Sequence, residues 1–144
     1  MSREYYDALQ PFRKPRASDI LYTLVGSFGI PVEVLSDDEF CVQRHIGILR
    51  PSKEIYTPFL ARFMESRFCF QQAEACATGI AQKTVPLSGL RTIVVPLPPV
   101  AEQRRIVAKV DGLMALCDAL KTRLADAAQT QRHLADAVTE RSAA

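Results

Sequence analysis

The stretch Val95–Val110, with the sequence VPLPPVAEQRRIVAKV, separates two parts of the chain that differ in composition. Its prolines interrupt regular structure, because proline has no backbone N–H to donate. The alanine, glutamate, glutamine and arginine residues that follow are good helix formers. Glu102 also suits the positive end of a helix, which favours a structural role for it over partner docking. We therefore expect a strand to end at the prolines and a helix to begin at about residue 100.

Residues 101–142 contain no proline and only one glycine, which predicts one long helix. Its apolar residues recur at alternating steps of four and three, the heptad pattern of a coiled coil. A helix of about 40 residues is about 60 Å long and needs a second long helix beside it, so we expect the partner to be another molecule. Two shorter helices, broken near Gly112 or residues 128–129, are the alternative. The predicted pairing positions, here called the seam, are Ile106, Val110, Leu113, Cys117, Leu120, Leu124, Ala127, Gln131, Leu134 and Val138.

Upstream of the prolines, runs of strand-forming residues alternate with turn signals. Ile20–Val25 and Ile30–Leu35 are predicted strands joined by a turn at Gly26–Gly29, and Phe40–Arg50 is a predicted third strand. The alternation favours an antiparallel sheet with one packed face. A last strand is expected at Arg91–Val95, before the prolines.

One helix is predicted between the third and last strands. Thr57–Pro58 is typical of a helix start, and apolar residues at helical spacing from Phe59 onward predict about five turns. Gly79 is the expected end. These elements predict an α+β fold. The predicted division is an irregular lead-in (1–17), a mixed unit (18–99) and a long helix (100–144).

Composition and motifs exclude several classes of protein. The chain is 48% hydrophobic and 24% charged with a net charge of +2, as in soluble globular proteins, and it has no membrane-spanning or export segment, so we expect the cytoplasm. It contains no phosphate-binding loop and no catalytic motif, so no catalytic residue and no cofactor are expected. No metal site is expected either, because no cysteines form a CxxC pair and the histidines stand apart. Buried free thiols are predicted for Cys41, Cys69, Cys76 and Cys117.

The sequence around the prolines resembles a known family. Thr92–Asp111, followed by Leu113–Asp118, resembles the junction between a target-recognition domain and a conserved helical spacer in the DNA specificity subunits of type I restriction–modification systems. Upstream, Asp19-Ile-Leu with Gly26, the helix carrying Phe59-Leu60 and Ser66, and the loop from Thr78-Gly79 to Gln82-Lys83 occur in the order that family shows. The resemblance covers about residues 18–140.

This resemblance implies a recognition and scaffold subunit without catalytic activity of its own. Such a subunit reads one half of a split target in double-stranded DNA with each recognition domain, and its spacer helices pair antiparallel. Methyltransferase subunits dock on it and bring S-adenosylmethionine, and restriction subunits bring ATP-driven translocation and cleavage.

The chain departs from the family pattern in having one recognition unit and one spacer, with a short segment before Asp19. It therefore resembles a half-subunit with a partial target-recognition domain, and we expect a homodimer formed by antiparallel helix pairing. The alternative is a truncated remnant that only dimerises or binds methyltransferase subunits, without specific DNA binding.

DNA contact requires cations for phosphates and amide or guanidinium groups for base edges. Three groups of residues are candidates. One group lies on a loop that recurs in the family, one lies in the third predicted strand, and one forms a basic cluster near the N-terminus. Exposed surface without a ligand is the alternative for each group. Tyr22 and Phe28 could stack on bases, but core packing is the favoured interpretation. The candidate DNA-binding residues are Lys83, Gln82 and Thr78, then Arg44 and Gln43, then Arg13, Lys14 and Arg16.

Overall fold

The computed structural model describes the backbone of residues 3–142 and the side chains of residues 3–134 and Thr139. The chain divides into two compact units, unit 1 (Met1–Val107) and unit 2 (Ala108–Ala144). Within the described range, no helix is long and apolar enough to cross a membrane. The elements are α1 (Arg3–Ala8), a 3-10 turn (Pro11–Arg13), β1 (Ile20–Thr23), β2 (Pro31–Glu33), β3 (Ile46–Leu49), α2 (Thr57–Glu65), α3 (Arg67–Cys76), α4 (Leu87–Leu90) and α5 (Val100–Ser142).

The sheet has the strand order β2-β1-β3, and both pairs of neighbours are antiparallel. Leu21 lies opposite Val32 on one side and Ile48 on the other. The turn between β1 and β2 falls where the sequence predicts it, with Gly29 at a φ of 95°. Only glycine fits at residue 29, because an added Cβ would lie 2.9 Å from a ring carbon of Phe70. The predicted antiparallel sheet and α+β fold class are confirmed.

Two strand predictions need correction. The third strand is only Ile46–Leu49, shorter than predicted, and the expected strand at Arg91–Val95 is wrong. A side chain takes the place of a neighbouring strand there. The Val94 N–H donates to Gln72 Oε1 at 2.8 Å, and the Val94 carbonyl accepts from Gln72 Nε2 at 3.2 Å. The Gln72 amide thus satisfies both backbone polar groups of Val94 without any sheet.

The predicted five-turn helix is two helices, α2 and α3, separated at Ser66. Ser66 has extended backbone angles, and its hydroxyl accepts the Cys69 N–H at 3.2 Å, which makes it the N-cap of α3. Serine is a strong capping residue, so it starts a new helix at the point where the apolar pattern predicts continuation. Tyr56, not Thr57, is the N-cap of α2. The α3 helix ends at Cys76, before Gly79, and the predicted end is therefore also wrong.

The core of unit 1 lies between the sheet and the helices. It combines Tyr22 and Phe28 with Leu60, Met64 and residues of α3, so core packing is confirmed for both aromatic residues. Burial raises the pKa of the Tyr22 phenol and the pKa of the Cys69 thiol. The four cysteines form no disulfide. Only Cys69 among them is fully buried and Cys117 is exposed on α5, so the prediction of buried thiols is wrong for the rest.

The long helix is continuous, and a break near Gly112 or residues 128–129 is excluded. Ile106 and Val110 are partly buried, whereas every residue from Asp111 to Leu134 is exposed. The apolar seam is therefore open to solvent over most of its length. Val138 lies outside the described side chains.

Candidate nucleic-acid interface

An open groove of about 970 Å³ lies along β3. Its floor is apolar and includes Leu24, Ile48 and Leu90. A smaller depression of about 660 Å³ shares the side chains Arg13, Val42, Gln43 and Arg44 with it and adds His45 and Tyr5. Neither depression has an acidic residue among its described lining residues. We call the larger one the arginine groove, after four of its lining residues, Arg13, Arg44, Arg50 and Arg91; its other polar lining residues are Gln10, Gln43 and Ser52.

Three arginines of the groove carry uncompensated charge. Arg13, Arg44 and Arg91 are exposed, and none of the three makes an ion pair with a described side chain. Their guanidinium groups have rigid forks of N–H donors that match the oxygens of a phosphate. The groove therefore presents unpaired cations beside the amide of Gln43.

Arg50 differs from these three because its charge is compensated. It donates to both carboxylate oxygens of Asp19, from Nε at 2.9 Å and from NH2 at 2.8 Å, and the Asp19 side chain is only 2% exposed. The Asp19 hydrogen bonds raise the pKa of the Arg50 guanidinium. Asp19 also accepts the Arg16 N–H at 3.1 Å. The Arg50 contact with Asp19 therefore stabilises unit 1, and its charge is already compensated within the protein.

The N-terminal basic cluster is divided by the fold. Arg13 reaches the arginine groove, whereas Lys14 and Arg16 do not line it. The Lys14 ammonium lies 4.6 Å from the centre of the Tyr6 ring and donates to the Asp7 carbonyl. The Lys14 ammonium is therefore already bound by groups of unit 1.

The family-matched candidates lie on a preformed loop, residues 78–84. Thr78 and Thr84 exchange backbone hydrogen bonds of 2.8 and 2.7 Å that close it. Gly79 has a φ of 98°, and a Cβ there would lie 2.4 Å from the Gln82 carbonyl oxygen, so the loop requires glycine. Lys83 Nζ forms an ion pair with Glu74 at 2.8 Å, while Gln82 is exposed. The loop does not line the arginine groove.

The structure thus brings together Arg13, Gln43 and Arg44, which the sequence offered as separate candidates. It adds Arg91, which sequence reasoning missed. Arg91 follows α4, and its N–H donates to the Leu87 carbonyl at 3.2 Å. No local signal marked Arg91, because its position depends on a helix that the sequence did not predict.

The described residues contain no group of three or more histidine, cysteine or acidic side chains placed to hold a metal ion. The groove offers guanidinium and amide donors.

Comparisons with known proteins identify the family of the chain. Residues 3–129 match the model of the type I restriction modification DNA specificity domain, so the chain belongs to that family. It is 47% identical over 120 residues to the EcoAI specificity subunit of Escherichia coli, covering 83% of this chain and 19% of that relative. It is 29% identical over 126 residues to the E. coli EcoBI specificity subunit, covering 87% of this chain and 27% of the relative.

A solved structure is also similar. The match is a chain from work on complex assembly and conformational transition of the type I R-M system, with a TM-score of 0.64, 25% identity, and coverage of 81% of this chain and 28% of that chain. The present chain spans between 15% and 27% of the length of the curated relatives that it matches. The predicted family is confirmed, and because its members are specificity subunits, so is the prediction that the chain is not an enzyme.

Proposed function

We propose that unit 1 reads part of a bipartite target in double-stranded DNA, and that the arginine groove is its main contact surface. The observation that carries this proposal is a groove lined by three guanidinium groups that pair with no described acidic side chain, with no acidic residue among its described lining. Phosphate contacts supply affinity, and an amide such as that of Gln43 supplies base readout. We also propose the division into a lead-in (1–17), a partial recognition domain (18–99) and a spacer helix (100–144). A cytoplasmic location is part of the same proposal.

The loop 78–84 is a secondary contact in this proposal. Lys83 must exchange its ion pair with Glu74 for a phosphate, so its net contribution to affinity is smaller than that of an unpaired arginine. Gln82 is exposed beside it, while the Thr78 hydroxyl donates to the Thr84 carbonyl at 3.4 Å. Arg16 and Lys14 are peripheral.

The helix α5 is the proposed site of assembly. Seam residues Leu113, Leu120 and Leu124 are 50%, 48% and 70% exposed, far more than apolar residues of a coiled coil are when paired. We propose that the seam pairs antiparallel with the same helix of a second copy, giving a homodimer. The flanking residues Met114 and Leu116 are also about half exposed. They leave an apolar flank for the docking of methyltransferase subunits, through which restriction subunits would join.

The groove is tested by salt-dependent binding to duplex DNA, measured by fluorescence anisotropy. Replacing Arg13, Arg44 and Arg91 together by alanine removes three cations. The slope of log affinity against log salt should therefore become shallower by about 0.9 for each phosphate that the variant no longer neutralises. Arg67→Ala is the matched control, because Arg67 is exposed on α3 and does not line the groove. Equal slopes for the triple variant and the wild type would exclude the groove as the DNA surface. Methyltransferase capture without any DNA binding would favour the remnant alternative.

Helix orientation is tested by oxidising the native thiol of Cys117, an a-type seam position. In a parallel pair, a-type positions face each other, so wild-type protein would form a Cys117–Cys117 link. In an antiparallel pair, Cys117 faces a d-type position, so one of Leu113→Cys, Leu120→Cys or Ala127→Cys should give a mapped disulfide to Cys117. Thr122→Cys on the outer face is the control. A wild-type Cys117–Cys117 link would contradict the antiparallel arrangement.

A further inference from the structure

Gln103 lies in the first turns of α5, and its polar side chain is completely buried, with 0% exposure. Its Oε1 accepts the Tyr56 N–H at 2.7 Å. Its Nε2 donates to the Glu54 carbonyl at 3.1 Å and to the Pro98 carbonyl at 2.8 Å. A buried amide bonded at both ends stabilises one geometry, because a shift of either partner would leave a polar group without a hydrogen bond.

Two neighbouring residues of α5 are also held within unit 1. The Arg104 guanidinium lies 4.3 Å from the centre of the Tyr56 ring, and Val107 is buried at 7% exposure. Tyr56 is the N-cap of α2, so its backbone conformation is fixed by that helix as well. The start of α5 is therefore held by a buried amide, a cation–π contact and apolar packing.

We propose that Gln103 is a positioning residue that fixes the start of α5 against residues 54–56 and Pro98, and thereby determines which spacing between two DNA half-sites the protein accepts. This inference rests on the proposed function. A helix of 43 residues is about 64 Å long, so a tilt of about 5° at its start would move its far end by about 6 Å. That displacement exceeds the rise of one base pair, about 3.4 Å. Spacing selection therefore requires a rigid start of the helix.

The first test removes the amide while keeping a side chain of similar length. In Gln103→Met, the Tyr56 N–H has no acceptor, so amide hydrogen exchange at Tyr56, followed by NMR, should accelerate by about tenfold or more. The Cys69 amide, bonded to Ser66, should exchange as in the wild type. Gln129→Met is the control, because Gln129 is an exposed glutamine of the same helix. Unchanged exchange at Tyr56 would show that the Gln103 side chain does not hold this segment.

The second test measures binding to DNA targets whose central spacer is lengthened or shortened by single base pairs. The wild type should prefer one spacing, and in Gln103→Met the ratio of preferred to altered spacing should fall towards one, with binding to a single half-site unchanged. A purely structural role would weaken all targets equally, and that result would overturn the inference. If the wild type binds no duplex, both the proposed function and the spacing claim fail. The Tyr56 exchange experiment still tests whether Gln103 holds the start of α5, because it does not depend on DNA binding.

A second variant covers the case in which Gln103→Met does not fold. Gln103→Glu retains the acceptor for Tyr56 but points a carboxylate at the Glu54 and Pro98 carbonyl oxygens. This repulsion and burial raise the pKa of the introduced carboxyl, and its protonated form regains one donor. Spacing preference should therefore be lost at neutral pH and partly return on acidification. A pH-independent preference equal to that of the wild type would contradict the inference.

Discussion

Units 1 and 2 differ in the solvent exposure of their apolar residues. Unit 1 encloses a core in which Ile20, Tyr22 and Cys69 have no exposed surface. Unit 2 carries leucines at heptad spacing, and all residues from Asp111 to Leu134 are exposed. Hydrophobic burial stabilises a helix only where a partner covers the apolar stripe. Unit 1 therefore supplies its own stability, whereas we expect unit 2 to gain stability from the proposed pairing with a second copy.

The largest expected effect tests the association of unit 2. In the proposed homodimer, Leu120→Lys places a charge in the seam of both copies, and removal of each leucine that the dimer buries costs about 2 to 5 kcal/mol. The dimer affinity should fall by about 10³-fold or more, as measured by light scattering across a concentration series. Unit 1 should keep its near-UV circular dichroism spectrum. Ala115→Lys, on the outer face, should leave the dimer intact, and a monomeric wild type would remove the contrast between the units.

The next effect tests the internal stability of unit 1. Asp19→Asn removes the charge that pairs with Arg50 in a nearly buried site, where removal of one partner costs about 3 kcal/mol. Urea unfolding should show this decrease at a protein concentration that keeps dimerisation constant. Asp37→Asn keeps an oxygen acceptor for the Ala17 N–H on the surface, and should cost less than about 1 kcal/mol. Equal costs for the two variants would show that Asp19 is not a buried anchor.

One substitution should have opposite signs in the two units. Gly79→Ala forces a Cβ to within 2.4 Å of the Gln82 carbonyl oxygen at a φ of 98°, and should destabilise unit 1 by about 1 to 3 kcal/mol in thermal unfolding. The arrangement of Gln82 and Lys83 should change with it. Retained stability would show that the loop 78–84 is not held in this shape.

Gly112→Ala is the matching change in unit 2. An added Cβ at Gly112 meets no described atom within 4 Å, and alanine favours a helix by about 0.8 to 1 kcal/mol over glycine. Helix content by circular dichroism at elevated temperature should rise. A decrease in helicity would point to a contact at Gly112 in the assembled protein.

The smallest effect concerns an exposed ion pair on α5. Hydrogen bonds from Arg105 lower the pKa of Glu102, so the pair stabilises the folded state above the ordinary carboxyl pKa and loses this contribution as pH falls through the lowered pKa. Arg105→Gln should return the pKa of Glu102 to its ordinary range in an NMR titration, with little change in melting temperature because both side chains are exposed. An unchanged pKa would show that another group causes the shift.

Local patterns predicted what depends on neighbouring residues alone. The turn at Gly26–Gly29 and the continuous helix α5 follow from short-range propensities. The strand predicted at Arg91–Val95 failed because the Gln72 amide, distant in sequence, occupies the backbone groups of Val94. The predicted five-turn helix failed because Ser66 competes for the helix amides.

The sequence by itself determined the family, the α+β class and the long heptad helix, because each rests on local composition, spacing or motif order. Tertiary structure alone decided the candidate site. It gathers Arg13, Arg44 and Arg91 from separate segments into one groove, and it pairs Arg50 with Asp19 instead. It also buries Gln103 against residues 54–56, which lie far from it in sequence. Such long-range juxtapositions depend on packing of the whole core, which no short window of sequence encodes.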